Sequence, residues 1–349
     1  MKAKSLFWLR LVSALALVVC LGCVAFAQST AYPQTQESKT PDKNASNVPE
    51  AEAKAANAIT TEPDAAAKLV AAEKFLKKYP KSTVRLGLAG YIAGQIAAVP
   101  DVTQRLALTE TFQNVFTADK EREAIQPIVF DSLLEAKRID DAFSFAAVTL
   151  VKQPDSVGIL TQMAIAGTEE AKRQNGKYVA VSLQYGLKSI EMIEANKKPA
   201  NLDDASWANQ QALLPRLYQS VGLLSMISGN PAEAKTRIDK AVALNPGDPT
   251  SYVLLGSIVD DEYQQVAQAY RTMPEGKAKE ETLKKGTELM DKVIDLYAHA
   301  LGASQGKPEF KPLYDQILQA VTTYYKYRHN QSTEGLQQLI DKYKVPAKP

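Results

Sequence analysis

From residue 62 onward, apolar side chains return every three or four positions almost without a break. In 64–79, Leu69, Ala72, Phe75, Leu76 and Tyr79 draw one stripe along a helix, and Pro80-Lys81-Ser82 ends it. The same spacing predicts helices over 82–98, 101–118, 121–138, 140–152, 155–174, 177–195, 204–228, 231–244, 250–272, 277–302, 309–329 and 333–344. Short breakers separate them: Val99-Pro100-Asp101, Arg138–Asp140, Gln153-Pro154-Asp155, Asn175-Gly176, Gly229-Asn230-Pro231 and Asn245–Pro249. Pro127 and Pro215 fall inside two predicted helices, where each removes a backbone donor, so a kink or a helix start is expected at both. No convincing alternating strand appears. Antiparallel helices joined by short turns make helical hairpins, and the expected class is all-α.

The first 61 residues do not follow this pattern. Residues 1–27 have a basic start, an apolar run from Leu11 to Gly22, and small residues at Ala25 and Ala27 before Gln28. That is the layout of a secretory signal peptide cleaved after Ala27. An uncleaved membrane anchor is the alternative, because Leu11–Ala27 reaches the short limit for crossing a hydrocarbon core of about 30 Å. A third reading is lipid attachment at Cys23, since Leu21-Gly22-Cys23 resembles part of a bacterial lipoprotein box, although Cys20 stands where an aliphatic residue usually does. From 28 to 61 the chain turns to Gln, Ser, Thr, Pro, Lys, Asn and Ala. It is expected to be a disordered tether, with a transient helix allowed at Pro49–Ala58.

Charge and cysteine count narrow the function classes. Of 349 residues, 41 are Lys or Arg and 39 are Asp or Glu. Loss of the leader takes Lys2, Lys4 and Arg10 with it, leaving 38 positive against 39 negative side chains, so the basic surplus of a nucleic-acid binder is missing. Both cysteines, Cys20 and Cys23, lie in the leader, which leaves a mature chain without disulfides, thiolate metal sites or a cysteine nucleophile. His299 and His329 are the only imidazoles.

A repeat lies inside the helical pattern. With Pro215 as position one, the 34-residue window Pro215–Asp248 carries Tyr218 at 4, Val221 at 7, Gly222 at 8, Ala234 at 20, Ile238 at 24, Ala241 at 27 and Pro246 at 32. A second unit restarts at Pro249, with Tyr252 at 4, Leu255 at 7 and Gly256 at 8. These positions resemble a tetratricopeptide repeat (TPR). Small residues at Gly222 and Ala234 let the two helices of a hairpin approach, while Tyr218, Val221 and Ile238 fill the space between hairpins. Asn230-Pro231 starts the second helix and Asn245-Pro246 stops it. The second unit departs from the family: its first helix runs on to about Thr272 and the charged stretch Glu275–Glu281 precedes its second. Weaker likeness appears at Asp140–Pro154, through Ala142, Ala146 and Pro154. Ala72–Ser82 resembles the end of a repeat from bacterial envelope members of this superfamily. The resemblance implies a right-handed α-solenoid over 62–345, with best repeats at 215–248 and 249–302 and capping helices over 309–345.

Catalytic constellations are scarce. There is no His-Glu-x-x-His helix, no phosphate-cradling glycine loop and no Gly-x-Ser-x-Gly elbow. Gly87, Gly90 and Gly94 sit at helical spacing, where they are expected to permit close packing. Among acid pairs, Asp203-Asp204 reads as a helix start and Glu280-Glu281 as a solvated face, with Asp260-Asp261 the third pair. The unusual run Tyr324–Asn330 reads as a cap on the open end of the stack through Val321, Tyr324, Tyr325 and Arg328, or else as an aromatic and basic contact surface. His329 is expected to hydrogen-bond at a turn, and His299 to lie near a helix C-terminus. Trp207 is expected to pack between hairpins.

The resemblance implies a groove lined from positions 2, 5, 9, 12 and 13 of each first helix. These are Arg216, Gln219, Leu223, Met226 and Ile227, then Thr250, Val253, Ser257, Asp260 and Asp261. The expectation is a non-enzymatic interaction scaffold from a bacterium, exported to the periplasm or beyond, binding a peptide or partner protein and serving in cell-envelope assembly. No cofactor, metal or nucleic acid is expected, and membrane contact only through an uncleaved leader or lipidation at Cys23. The competing class is a helical carbohydrate-active or peptidoglycan-processing enzyme. Mass spectrometry of the exported protein should find a chain beginning at Gln28; a lipid-bearing Cys23 or an intact Met1 would overturn the cleavage reading.

Overall fold

The computed structural model describes residues 48–200 and 202–344. The leader 1–27 and the tether up to residue 47 lie outside the described residues. Within them the chain is all-α, and adjacent helices pack in pairs. They fall into two compact units that divide between Asp155 and Ser156.

The first unit contains α1 (Glu50–Thr60), α2 (Ala65–Lys78), α3 (Arg85–Ala97), α4 (Val102–Val115), α5 (Asp119–Glu123), α6 (Gln126–Glu135) and α7 (Ile139–Lys152). The stripe read from 64–79 is the buried face of α2: Leu69, Ala72, Phe75 and Leu76 enter the core with Ile92, Ile96, Phe112 and Phe116. Asp64 caps this helix by accepting from the Ala67 amide at 2.8 Å. The segment allowed as a transient helix at Pro49–Ala58 is formed as α1, and its tail packs on α2 with Ile59 buried. One large apolar side chain and the small faces of Ala55 and Ala56 give the end of the expected tether something to bury. Arg85 forks onto the buried Glu121 at 2.6 and 3.1 Å, tying α3 to α5.

The second unit contains α8 (Val157–Lys172), α9 (Val179–Glu194), α10 (Asp204–Ala212), α11 (Leu214–Ile227), α12 (Pro231–Leu244), α13 (Pro249–Thr272), α14 (Lys277–Ser304), α15 (Lys311–Arg328) and α16 (Leu336–Asp341). Each main helix packs on the next: α8 on α9, α11 on α12, α13 on α14 and α14 on α15. The long first helix to Thr272 is present as expected.

Both expected proline effects resolve as helix starts. Segment 121–138 is divided into α5 and α6, and 204–228 into α10 and α11, with Pro127 and Pro215 in the first turns of α6 and α11. A proline there gives up a donor that has no intrahelical acceptor in any case.

The small positions lie where helices meet. Gly222 on α11 faces α12 so closely that an added Cβ would stand 2.4 Å from Ile238 Cδ1 and 3.3 Å from the Ala234 carbonyl. Thirty-four positions on, Gly256 of α13 faces Tyr297 of α14, whose ring would come within 2.3 Å of a Cβ. Tyr218, Val221, Ala234, Ile238 and Ala241 are all buried. Gly87, Gly90 and Gly94 depart from the expectation of close packing: a Cβ on any of the three meets nothing within 4 Å, so α3 does not owe its packing to them.

Gly222→Leu is expected to destabilise the fold by ~1–3 kcal/mol through overpacking. Gly94→Ala should instead stabilise by roughly 0.5–1 kcal/mol, as alanine is the better helix former and has room. Denaturant melts of the two variants check both signs.

Candidate functional site

The expected groove residues belong to α11 and α13, and these two helices are tied at one end. Asp248 caps α13 by accepting from the Ser251 amide at 2.8 Å. Gln219 reaches over from α11 and donates to both Asp248 Oδ2, at 2.5 Å, and Ser251 Oγ, at 2.7 Å. Gln219 thus fixes how α11 meets the start of α13.

The remaining residues divide by exposure. Leu223, Met226, Val253, Ser257 and Asp260 are buried, and Leu223, Met226 and Val253 join the core of the second unit. Arg216 and Ile227 are exposed, while Gln219, Thr250 and Asp261 are half-buried. Water therefore reaches the face at its edges, through Arg216, Ile227, Thr250 and Asp261.

Asp260 stands apart chemically. Its side chain sits among α13, α14 and α15 with 1% of its surface exposed. Tyr324 of α15 donates to Asp260 Oδ1 at 2.5 Å, and Gln264 Nε2 lies 3.3 Å from the same oxygen and 3.0 Å from the Tyr324 hydroxyl. The Tyr263 ring stands at 90° to that of Tyr324, with centroids 5.7 Å apart. Burial pushes the Asp260 carboxyl above the ordinary carboxylate range, while the hydrogen bonds from Tyr324 and Gln264 pull the other way and do not cancel it. Burial, with the nearby Asp260 charge, also raises the Tyr324 and Tyr297 phenols. No lysine or arginine is among the groups that set the Asp260 proton affinity.

A second polar tie joins the repeats on the other side. The buried Tyr218 donates to Glu194 of α9, and Lys240 of α12 reaches the same carboxylate at 3.2 Å and the Tyr218 oxygen at 3.1 Å. The Tyr218 hydroxyl, then Lys240, holds Glu194 below its usual range. This cluster contains its own cation, whereas the hydrogen-bond partners of Asp260, Tyr324 and Gln264, are neutral.

The other residues singled out in the sequence serve packing. Asp203 caps α10 by accepting from the Ser206 amide, and Trp207 is buried with its Nε1 donating to Asn196 at 2.9 Å. Val321 and Tyr325 are buried, Arg328 forks onto Asp291 at 2.6 and 2.9 Å, and His329 contacts the Tyr325 carbonyl at 3.0 Å. Tyr327 remains 71% exposed. His299 is sandwiched between Tyr252 and Tyr343, at 3.6 and 4.1 Å between centroids, and burial lowers its proton affinity. Neither this sandwich nor the pairing of Asp260 with Tyr324 was legible as spacing, because 64 positions separate Asp260 from Tyr324. Among the described residues no cluster of three or more His, Cys, Asp or Glu is placed to hold a metal ion, and no helix is long and apolar enough to cross a membrane.

No protein-family model matches the chain, and no curated protein does. Among solved structures it is similar to a monomeric IFIT1 mutant with m7Gppp-AAAA, at 14% identity and a TM-score of 0.35. That match covers 80% of this chain and 56% of the other, so this chain spans about half the length of that protein. The likeness is too shallow to assign a family.

With its pKa raised on folding, Asp260 binds its proton more tightly in the folded chain. Its contribution to stability therefore grows as pH falls toward the unfolded value of 3.8 and is unfavourable above the folded one. Asp260→Asn is expected to raise the denaturant midpoint at neutral pH and to lose that advantage below pH 3.8. Tyr324→Phe, which strips a donor from a buried carboxyl group, should cost ~1–3 kcal/mol at neutral pH. Equal midpoints for wild type and Asp260→Asn across this range would refute the assignment.

Proposed function

We propose that this chain is an exported, non-enzymatic scaffold of the tetratricopeptide kind, whose second unit binds an extended segment of a partner protein along the face shared by α11 and α13. The observation that carries the reading is the pair of glycine contacts, Gly222 on Ile238 and Gly256 on Tyr297, spaced by one 34-residue repeat. A repeated close approach at that interval packs the two helices within each hairpin, and stacked hairpins present their first helices side by side. Such a face suits a polypeptide laid along it. Arg216, Ile227, Thr250 and Asp261 offer a cation, an apolar contact, a hydroxyl and an anion within two adjoining helices. That mixture fits a polypeptide better than a uniformly charged polymer. Export to the periplasm or beyond follows from the leader, and a role in cell-envelope assembly from the likeness at Ala72–Ser82.

The test is affinity capture from envelope extracts with the mature chain. Wild type is expected to retain a defined protein partner, and Arg216→Glu combined with Ile227→Asp and Asp261→Lys should lower recovery at least tenfold without unfolding. Undiminished capture by the triple variant would remove the groove assignment. Cleavage of peptidoglycan by the purified chain, abolished by one carboxylate change, would replace the scaffold with the enzyme reading.

A further inference from the structure

Asp260 occupies position 12 of the second repeat's first helix, so a ligand assigned to it presupposes the groove reading and specifies which part of a partner the groove receives. Three observations converge there. The carboxylate is buried, with no cation among the groups that act on it. The side-chain nitrogen of Gln264 bridges Asp260 Oδ1 and the Tyr324 hydroxyl at 3.3 and 3.0 Å, the first of these long for a hydrogen bond. Gln264 itself is exposed, so its amide can swing into water without disturbing the core.

We propose that the Gln264 amide nitrogen holds the place of a lysine ammonium, and that Asp260, Tyr324 and Tyr263 form a receptor for one lysine side chain of the bound partner. An ammonium at that point would donate to the same two oxygens, replacing a neutral donor by a charged one. The place held is that of a single nitrogen between two oxygens, which suits a compact ammonium better than the planar fork of arginine. The Tyr263 ring stands perpendicular to that of Tyr324, whose hydroxyl takes the Gln264 contact, and the exposed Tyr327 lies near Tyr263. Aromatic faces attract cations, and more so away from water.

Arg328 is paired with Asp291, Lys285 with Glu262, and Arg271 acts on Tyr263. The groups that face Asp260 from the packed helices are Gln264 on α13 and Tyr324 on α15, while Tyr297 of α14 feels both Asp260 and Asp261. All of these are neutral or acidic. A bound ammonium would favour the ionised carboxylate and move its titration downward, so binding should weaken as pH falls through the Asp260 transition.

The experiment uses the mature chain labelled with carboxyl-13C aspartate, the Asp260 resonance being assigned by its loss in Asp260→Asn. N-acetyl-lysine methylamide is the probe, its uncharged norleucine analogue the control, and N-acetyl-arginine methylamide and N-acetylglucosamine are the competitors in class. The lysine probe should shift the Asp260 resonance saturably and lower its titration midpoint, and the norleucine analogue should do neither. Gln264→Ala, a change on an exposed side chain, should tighten the lysine probe about threefold or more by removing the placeholder. No saturable shift, weaker binding in Gln264→Ala, or a response to arginine or sugar that equals or exceeds that to lysine would overturn the proposal. The probe is a single amino-acid derivative and needs no groove. Its failure would therefore leave the partner capture standing, and failure of the capture would leave this titration intact.

Discussion

The distance between paired helices at Gly222 and Gly256 is the constraint on which the second unit depends. At each position the facing helix brings a large side chain, Ile238 or Tyr297, into the volume that any Cβ would fill. Dispersion contacts are short-ranged, so a gap of even half an ångström would forfeit much of what these pairs contribute. The glycines give up helix propensity, roughly 1 kcal/mol each against alanine, and the close approach has to recover it through burial. Tyr218, Val221, Ala234 and Ile238 are buried because of that approach.

Once the helices are that close, polar groups on their inner sides have few choices. Gln219, Asp248 and Ser251 solve this with a helix cap shared between neighbouring helices, and Tyr218, Glu194 and Lys240 with a cluster that includes its own cation. Asp260 follows neither course. It is buried at the junction of three helices with two neutral donors, an arrangement that works against folding at neutral pH. A group that costs stability in the free chain is where a function that needs it is to be sought, because a ligand can supply what the fold withholds.

The pairing of packed and polar elements also shows how far the chain is legible from residue order. The α2 stripe, the helix start at Asp203, the breaker turns and the repeat spacing all express local rules of period three to four or of single-residue geometry, and they reappear as α2, α10, α11 and α12. Gly87, Gly90 and Gly94 have the same spacing and composition as packing glycines, yet they face open space. Glycine spacing alone does not say which side of a helix has a neighbour. The same ambiguity runs through the ten groove positions, of which five are buried, Arg216 and Ile227 are exposed, and Thr250, Asp261 and Gln219 are half-buried, the last drawn into the cap.

The sequence by itself determined an all-α chain, most of its helix limits, the two proline-led starts and the repeat interval between Gly222 and Gly256, because each rests on residues within one or two turns of one another. Only the tertiary structure decided that the chain divides at Asp155, that Tyr324 meets Asp260 across 64 positions, that His299 lies between Tyr252 and Tyr343, and which groove positions reach water. Those outcomes depend on which helix face turns toward which neighbour, and a hydrophobic period constrains a helix's own burial while leaving the identity of its partner open.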